Sequence, residues 1–180
     1  MGVTKGLIYV HSQGMIHGDL KGVRLGYSKL RLHLISVKAN ILIDNIGNAR
    51  LADFGLLTII SDPTNILSST SYAQGGTARW MAPELIDPEK FGLEDNHPTK
   101  SSDCYALGMV IYETISGKMP FHKHADLTVI TKVLAGQHPS REAGLAGGLW
   151  KVLKGCWKPR PNDRPTIEEV LQCVRKVSNL

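Results

Sequence analysis

The sequence predicts a mainly helical domain with one small β-hairpin, and three observations carry that reading: helical spacings, one pair of short strand-like runs, and a composition suited to a single core. Residues 3–13 set Val3, Leu7, Ile8 and Val10 at helical intervals among polar Thr4, Lys5 and Gln13, and the pattern stops at Gly14. Ile41-Leu42-Ile43 and Ala49-Arg50-Leu51-Ala52, separated by Asp44 to Asn48 with its Gly47, read as two short strands around a tight turn. The stretch from Thr58 to Gly76 is rich in Ser, Thr, Asn and Gly and lacks periodicity, which predicts a long mobile loop. Apolar helices are expected over 101–116 and from Leu149 to Trp157. The last helix is signalled by Pro165 and by Thr166-Ile167-Glu168-Glu169, a capping-box spacing in which each side chain accepts a backbone N–H from the other residue. With 180 residues, 42% of them hydrophobic and 21% charged, the chain suits one domain with a proper core.

The net charge of +5 invites a nucleic-acid or membrane reading, and its distribution removes that reading. Four of the 21 basic residues, Arg24, Lys29, Arg31 and Lys38, lie in the acid-free stretch 23–38, so 17 basic residues face 16 acidic ones elsewhere, or +1. Neither nucleic acid nor a membrane is expected as a partner. Cys104, Cys156 and Cys173 are odd in number and far apart, unlike a disulfide framework or a C-x-x-C metal site, which points to a reducing compartment. The longest nearly apolar run, Cys104 to Ile115, is broken by Glu113 and too short to cross a bilayer. Met1 is followed by no charged-then-apolar leader, and Gly6 stands where a myristoylation signal requires Ser or Thr. The expected location is cytoplasmic or nuclear.

Chemistry is suggested by the order of short signals: His17-Gly18-Asp19-Leu20-Lys21, Asn40, Asp53-Phe54-Gly55, Ala82-Pro83-Glu84, Asp103 and Arg164. Taken singly, Asp19 reads as a helix cap, His17 as a packed histidine and Asn40 as a turn residue. Six signals in this order, with 13 positions from Asn40 to Asp53, form a pattern that single readings do not explain. The chain resembles the protein-kinase family over essentially its whole length. It is most similar to the tyrosine-kinase-like group of serine/threonine kinases, through Gly76-Thr77-Ala78-Arg79-Trp80-Met81 and through Cys156-Trp157 before Arg164-Pro165.

The resemblance implies a protein-kinase-like fold, its C-terminal lobe only, with the hairpin at the catalytic and Mg²⁺-binding loops. ATP and Mg²⁺ are the implied cofactors and a protein bearing Ser or Thr the implied substrate. Phosphoryl transfer is largely positioning and charge neutralisation, which gives these residue types their meaning. By resemblance, Asp19 would orient the substrate hydroxyl and accept its proton, and Lys21 would offset charge on the transferring phosphate. Asn40 and Asp53 would offer Mg²⁺ hard oxygen ligands, Leu42 would floor the adenine site, and Thr77 would face the substrate. His17, Phe54 and Gly55 are implied to be structural. So are Asp103, anchoring the catalytic-loop backbone, and Arg164, pairing with buried Glu84. Ser61, Thr64, Ser68, Ser69, Thr70, Ser71 and Tyr72 are phosphosite candidates, although a solvated loop explains them equally.

Four departures stand out. Gly18 replaces the arginine that in many relatives captures an activation-loop phosphate, and Tyr105 replaces a usual Trp. The family's upstream lobe, with its Gly-rich loop, strand lysine and helix glutamate, has no counterpart in these 180 residues, so the missing lobe or a partner protein is expected to cover the cleft face. Finally, the family's Asp-Leu-Lys-x-x-Asn spacing is restored only when Val23 to Lys38 is removed. That tract is a whole 16 codons, opens with Val-Arg and closes with Lys. GTN, AGR and AAG are among the codons of those residues, so the bases fit GTNAG…AG and a retained 48-base intron. A genuine loop insertion is the alternative. The expected activity is ATP-dependent serine/threonine phosphorylation, with these residues inactive alone; a pseudokinase-like interaction module is the second reading.

Overall fold

The computed structural model describes residues 2–22, 40–43, 49–52, 58–59 and 77–178. The tract Val23 to Lys38, the triplet Asp53-Phe54-Gly55 and the candidate phosphosites from Ser61 to Tyr72 lie outside these residues. The elements are α1 (Gly2–Ser12), β1 (Met15–Ile16), β2 (Ile41–Ile43), β3 (Ala49–Leu51), β4 (Thr58–Ile59), α2 (Pro83–Ile86), α3 (Lys100–Ser116), α4 (Asp126–Leu134), α5 (Gly147–Cys156) and α6 (Ile167–Ser178). Among the described residues the short 3₁₀ turns Thr77–Arg79, Glu89–Phe91 and Pro161–Asp163 join them.

Helix α3 is the axis of the core. Every residue from Ser102 to Val110 is buried, as expected of a helix enclosed on all sides. Its start is fixed by Thr99, whose hydroxyl accepts the Ser102 N–H at 3.0 Å while the Ser102 hydroxyl accepts the Thr99 N–H at 2.8 Å. Its end is fixed by Gly117, whose φ of +66° is the left-handed stop that glycine adopts without strain. Helix α5 packs closely on α3: a Cβ at Gly108 would lie 2.7 Å from the Cys156 Cβ and 2.8 Å from the Trp157 indole nitrogen. Contact with the Cys104 thiol, then burial, holds the Cys156 thiol well above its ordinary pKa, so it stays protonated and packs as a small apolar group.

The remaining helices close around this axis, α5 against α6 and α6 against α1, which in turn covers β3. Leu7, Leu107, Met109, Leu145, Leu153, Val129, Val133 and Val170 are fully enclosed, and each such side chain contributes about 1.5–3 kcal/mol relative to exposure. In α6 the expected capping box forms: the Glu169 carboxylate accepts the Thr166 N–H at 2.8 Å, and the Thr166 hydroxyl accepts the Glu169 N–H at 3.3 Å.

Two antiparallel strand pairs flank the helices. β2 pairs with β3 in the register Ile41 to Leu51, Leu42 to Arg50 and Ile43 to Ala49. β1 pairs with β4, Met15 opposite Ile59 and Ile16 opposite Thr58. The second pair corrects the expectation that a loop begins at Thr58, because Thr58 and Ile59 find strand partners more than 40 positions earlier. No helix among the described residues is long and apolar enough to cross a membrane.

Candidate active site

The loop after β1 is held from below by α3. The buried carboxylate of Asp103 accepts the His17 N–H at 2.9 Å through Oδ2 and the Gly18 N–H at 3.0 Å through Oδ1. His11, on the buried face of α1, meets the same Oδ2 through Nε2 at 2.8 Å. One carboxylate therefore fixes α1, the loop backbone and α3 together. At Gly18 the chain turns with φ +77°, in the left-handed region where a side chain is unfavourable. The glycine thus has a backbone reason to be here. Gly18→Ala is expected to lower stability by about 1–2 kcal/mol, read as a fall in the thermal midpoint of the chain.

Pinned in this way, the loop presents Asp19 to two polar partners. Lys21 Nζ lies 2.6 Å from Asp19 Oδ2, and Asn40 Nδ2 donates to the same oxygen at 2.9 Å and also to the Asp19 carbonyl. Asp19 and Lys21 keep 11% and 16% of their side-chain surface, enough to reach a docked molecule. Asn40 is completely buried, and its Oδ1 has no hydrogen-bond partner among the described residues. A buried amide oxygen without a donor is costly, and an external donor or a cation would make good the deficit. A hard divalent cation such as Mg²⁺ suits this oxygen, so Asn40 fits the cofactor that the motif order implies. Leu42 lies two residues on in β2, while the second expected ligand, Asp53, is outside the described residues.

The opposite wall is the segment from Thr77 to Leu85. Thr77, Trp80 and Met81 line one small cavity with Gly18, Asp19 and Leu20, which brings Thr77 beside the loop. This segment is clamped by Arg79. Its guanidinium donates to the carbonyls of Pro120 and Phe121 at 2.9 Å each and of His124 at 2.6 Å, and pairs with Asp126 at 2.8 Å. Trp80 donates its indole N–H to Glu113 Oε2 at 3.1 Å, and that carboxylate also packs against Gly22, where no Cβ would fit.

A family model for the protein kinase domain matches residues 1–174. The chain is 31% identical over 170 residues to cytokinesis protein sepH of Aspergillus terreus, covering 94% of this chain and 10% of that protein. It is 30% identical over 170 residues to cell division control protein 7 of Schizosaccharomyces pombe, covering 94% and 13%. It is 23% identical over 177 residues to the RGS domain-containing serine/threonine-protein kinase A of Dictyostelium discoideum, covering 98% and 13%. The chain belongs to the protein kinase domain family. It spans about a tenth of the length of these curated relatives.

In this kinase-family chain the remaining motif residues meet in a buried ion pair. Arg164 Nη1 and Nη2 lie 2.6 and 2.7 Å from the two carboxylate oxygens of Glu84, at the start of α2. The guanidinium also donates to the carbonyls of Lys158, Ser101 and Pro159 at 2.8, 3.1 and 3.1 Å. It sits 5.1 Å from the centre of the Tyr105 ring, whose phenol is pushed far above its ordinary pKa mainly by burial. An aromatic at 105 therefore faces a cation with its neutral π surface. Sequence reasoning assigned no role to His11, Arg79 or Glu113. The only local signal for His11 is its position on the apolar face with Val3, Leu7 and Val10.

Proposed function

We propose that these residues form the C-terminal lobe of an ATP- and Mg²⁺-dependent protein serine/threonine kinase of the tyrosine-kinase-like group. The observation that carries this reading is the convergence of Asp19, Lys21 and Asn40, with the Asn40 Oδ1 left to accept a cation. Asp19 takes the proton of the substrate hydroxyl at Oδ1 or Oδ2, Lys21 stands ready to offset phosphoryl charge, and Asn40 holds both the Asp19 carboxylate and one metal position. Bound MgATP supplies the phosphoryl group and the charge neutralisation of its oxygens. Thr77, beside the same loop, orients the acceptor peptide.

Val23 to Lys38 separates Lys21-Gly22 from Ala39-Asn40, yet Asn40 bonds to Asp19 as adjacent loop residues would. This supports the reading that the tract is not part of the working loop; its retained-intron origin rests on the codon pattern of its two ends. A transcript lacking those 48 bases is the expected finding. For activity, residues 1–180 are joined to the upstream lobe of a related kinase, with and without 23–38. The expected result is phosphate transfer to a protein substrate only by the joined chain lacking 23–38, and none by residues 1–180 alone, which have no strand lysine or Gly-rich loop to position the phosphates. Transfer by residues 1–180 alone, lost in Asp19→Ala, would contradict the C-lobe reading.

A further inference from the structure

A second concave site lies on the far side of the Arg79 clamp. The loop 121–124, the end of α4 and the segment 137–141 enclose a cavity of about 250 Å³. Its charged and titratable lining is Tyr112, His122, Lys123, His124, Lys132, His138 and Arg141, with no carboxylate among the lining residues. Among the described residues Lys132 Nζ is met only by the neutral Gln137 Oε1 at 3.0 Å. Arg141 spends Nε and one Nη on the Leu145 carbonyl, at 3.0 and 2.7 Å, and its other Nη has no hydrogen-bond partner among the described residues. None of Lys123, Lys132 and Arg141 has a carboxylate within 4.0 Å among the described residues. Glu142, next in sequence to Arg141, is engaged by Lys118 at 2.7 Å and lies 4.0 Å from His122 Nε2, and its carboxyl is held below the usual range chiefly by the Lys118 contact, with His122 and Lys123 adding to it. Three permanent cations therefore line one cavity, and the two acids beside it, Glu142 and Asp126, are already paired with Lys118 and Arg79.

We propose that this cavity binds a phosphoryl group carried on a protein segment. A phosphate dianion offers acceptor oxygens to several cations at once, and the forked guanidinium of Arg141 matches it better than it matches a neutral carbonyl. The protein-borne source is favoured by continuity: Arg79 fastens Pro120, Phe121 and His124 to the Thr77–Arg79 turn, and Phe121 and His124 also line the cavity, so the cavity adjoins the segment that carries Thr77. That continuity rests on the reading of Thr77 as substrate-facing. The class of partner that follows is a protein already phosphorylated at one position when it docks.

The test reads binding without turnover, so an inactive chain and an empty cavity are separate failures. The His138 ring lies 5.4 Å from Trp150 and 5.7 Å from Trp157, so indole fluorescence of the 180-residue chain reports on the cavity. Three probes are titrated: a phosphoserine decapeptide of Gly, Ala and Ser, its unphosphorylated twin, and inorganic phosphate, with calorimetry as a second readout. The phosphopeptide is expected to bind at least tenfold more tightly than either other probe. Lys123→Gln combined with Lys132→Gln, which touches no backbone bond, is expected to weaken it at least tenfold, and Lys5→Gln on α1 to leave it unchanged. Equal binding of the two peptides, or no loss in the double variant, would overturn the proposal. Inorganic phosphate binding as tightly as the phosphopeptide would overturn the protein-borne source.

Discussion

Asp19→Ala, made in the joined chain lacking 23–38, is expected to lower kcat by about 10²–10⁴-fold, the usual worth of a positioned proton acceptor. The Michaelis constant for the protein substrate should change little, because Thr77 and the Arg79 clamp are untouched. Stability should also change little. Asn40 keeps its bond to the Asp19 carbonyl, and Lys21 keeps 16% of its side-chain surface, through which its ammonium reaches water in place of the lost carboxylate. Steady-state kinetics beside a thermal melt separate the two effects. A fall in kcat accompanied by an equal loss of folded protein would place Asp19 in the scaffold instead.

The largest effect on stability is expected at the Glu84–Arg164 pair. Removing one partner of a buried ion pair leaves the other charge uncompensated and typically costs about 3–5 kcal/mol. In a chain of this length that is a fall of roughly 6–20 °C in thermal midpoint. The two single variants should not be equivalent. Glu84→Leu leaves Arg164 with three carbonyl acceptors, whereas Arg164→Met removes the donor to those carbonyls as well as to the carboxylate. Arg164→Met is therefore expected to melt lower, and equal midpoints would show that the carbonyl contacts contribute nothing.

Helix α3 was legible because its length, apolar content and bounded ends agree, and α6 because Thr166 and Glu169 stand three apart before an apolar stripe. Helix α4 escaped notice: only Val129 and Val133 are buried, and its N-terminus has no capping side chain. Strand β4 is two residues long, too short to display a period of two. In the site, motif order placed Asp19, Lys21 and Asn40 in one group although 21 positions separate Asp19 from Asn40. His11 and Asp103, 92 positions apart, form a contact that no local pattern announces. Gly18 was read as the loss of a phosphate-capturing arginine, and its backbone angle adds a reason that only coordinates supply. Arg79 appeared within a motif, but its partners are carbonyls of residues 120–124, which leave no mark in side-chain chemistry.

The most direct test is the identity of the amino acid that receives labelled phosphate from ATP when the joined chain lacking 23–38 acts on a protein substrate. Label on serine and threonine, abolished by Asp19→Ala, is the predicted result; label on tyrosine, or label that persists unchanged in Asp19→Ala, would contradict the assignment of Asp19, Lys21 and Asn40 as a serine/threonine phosphoryl-transfer site.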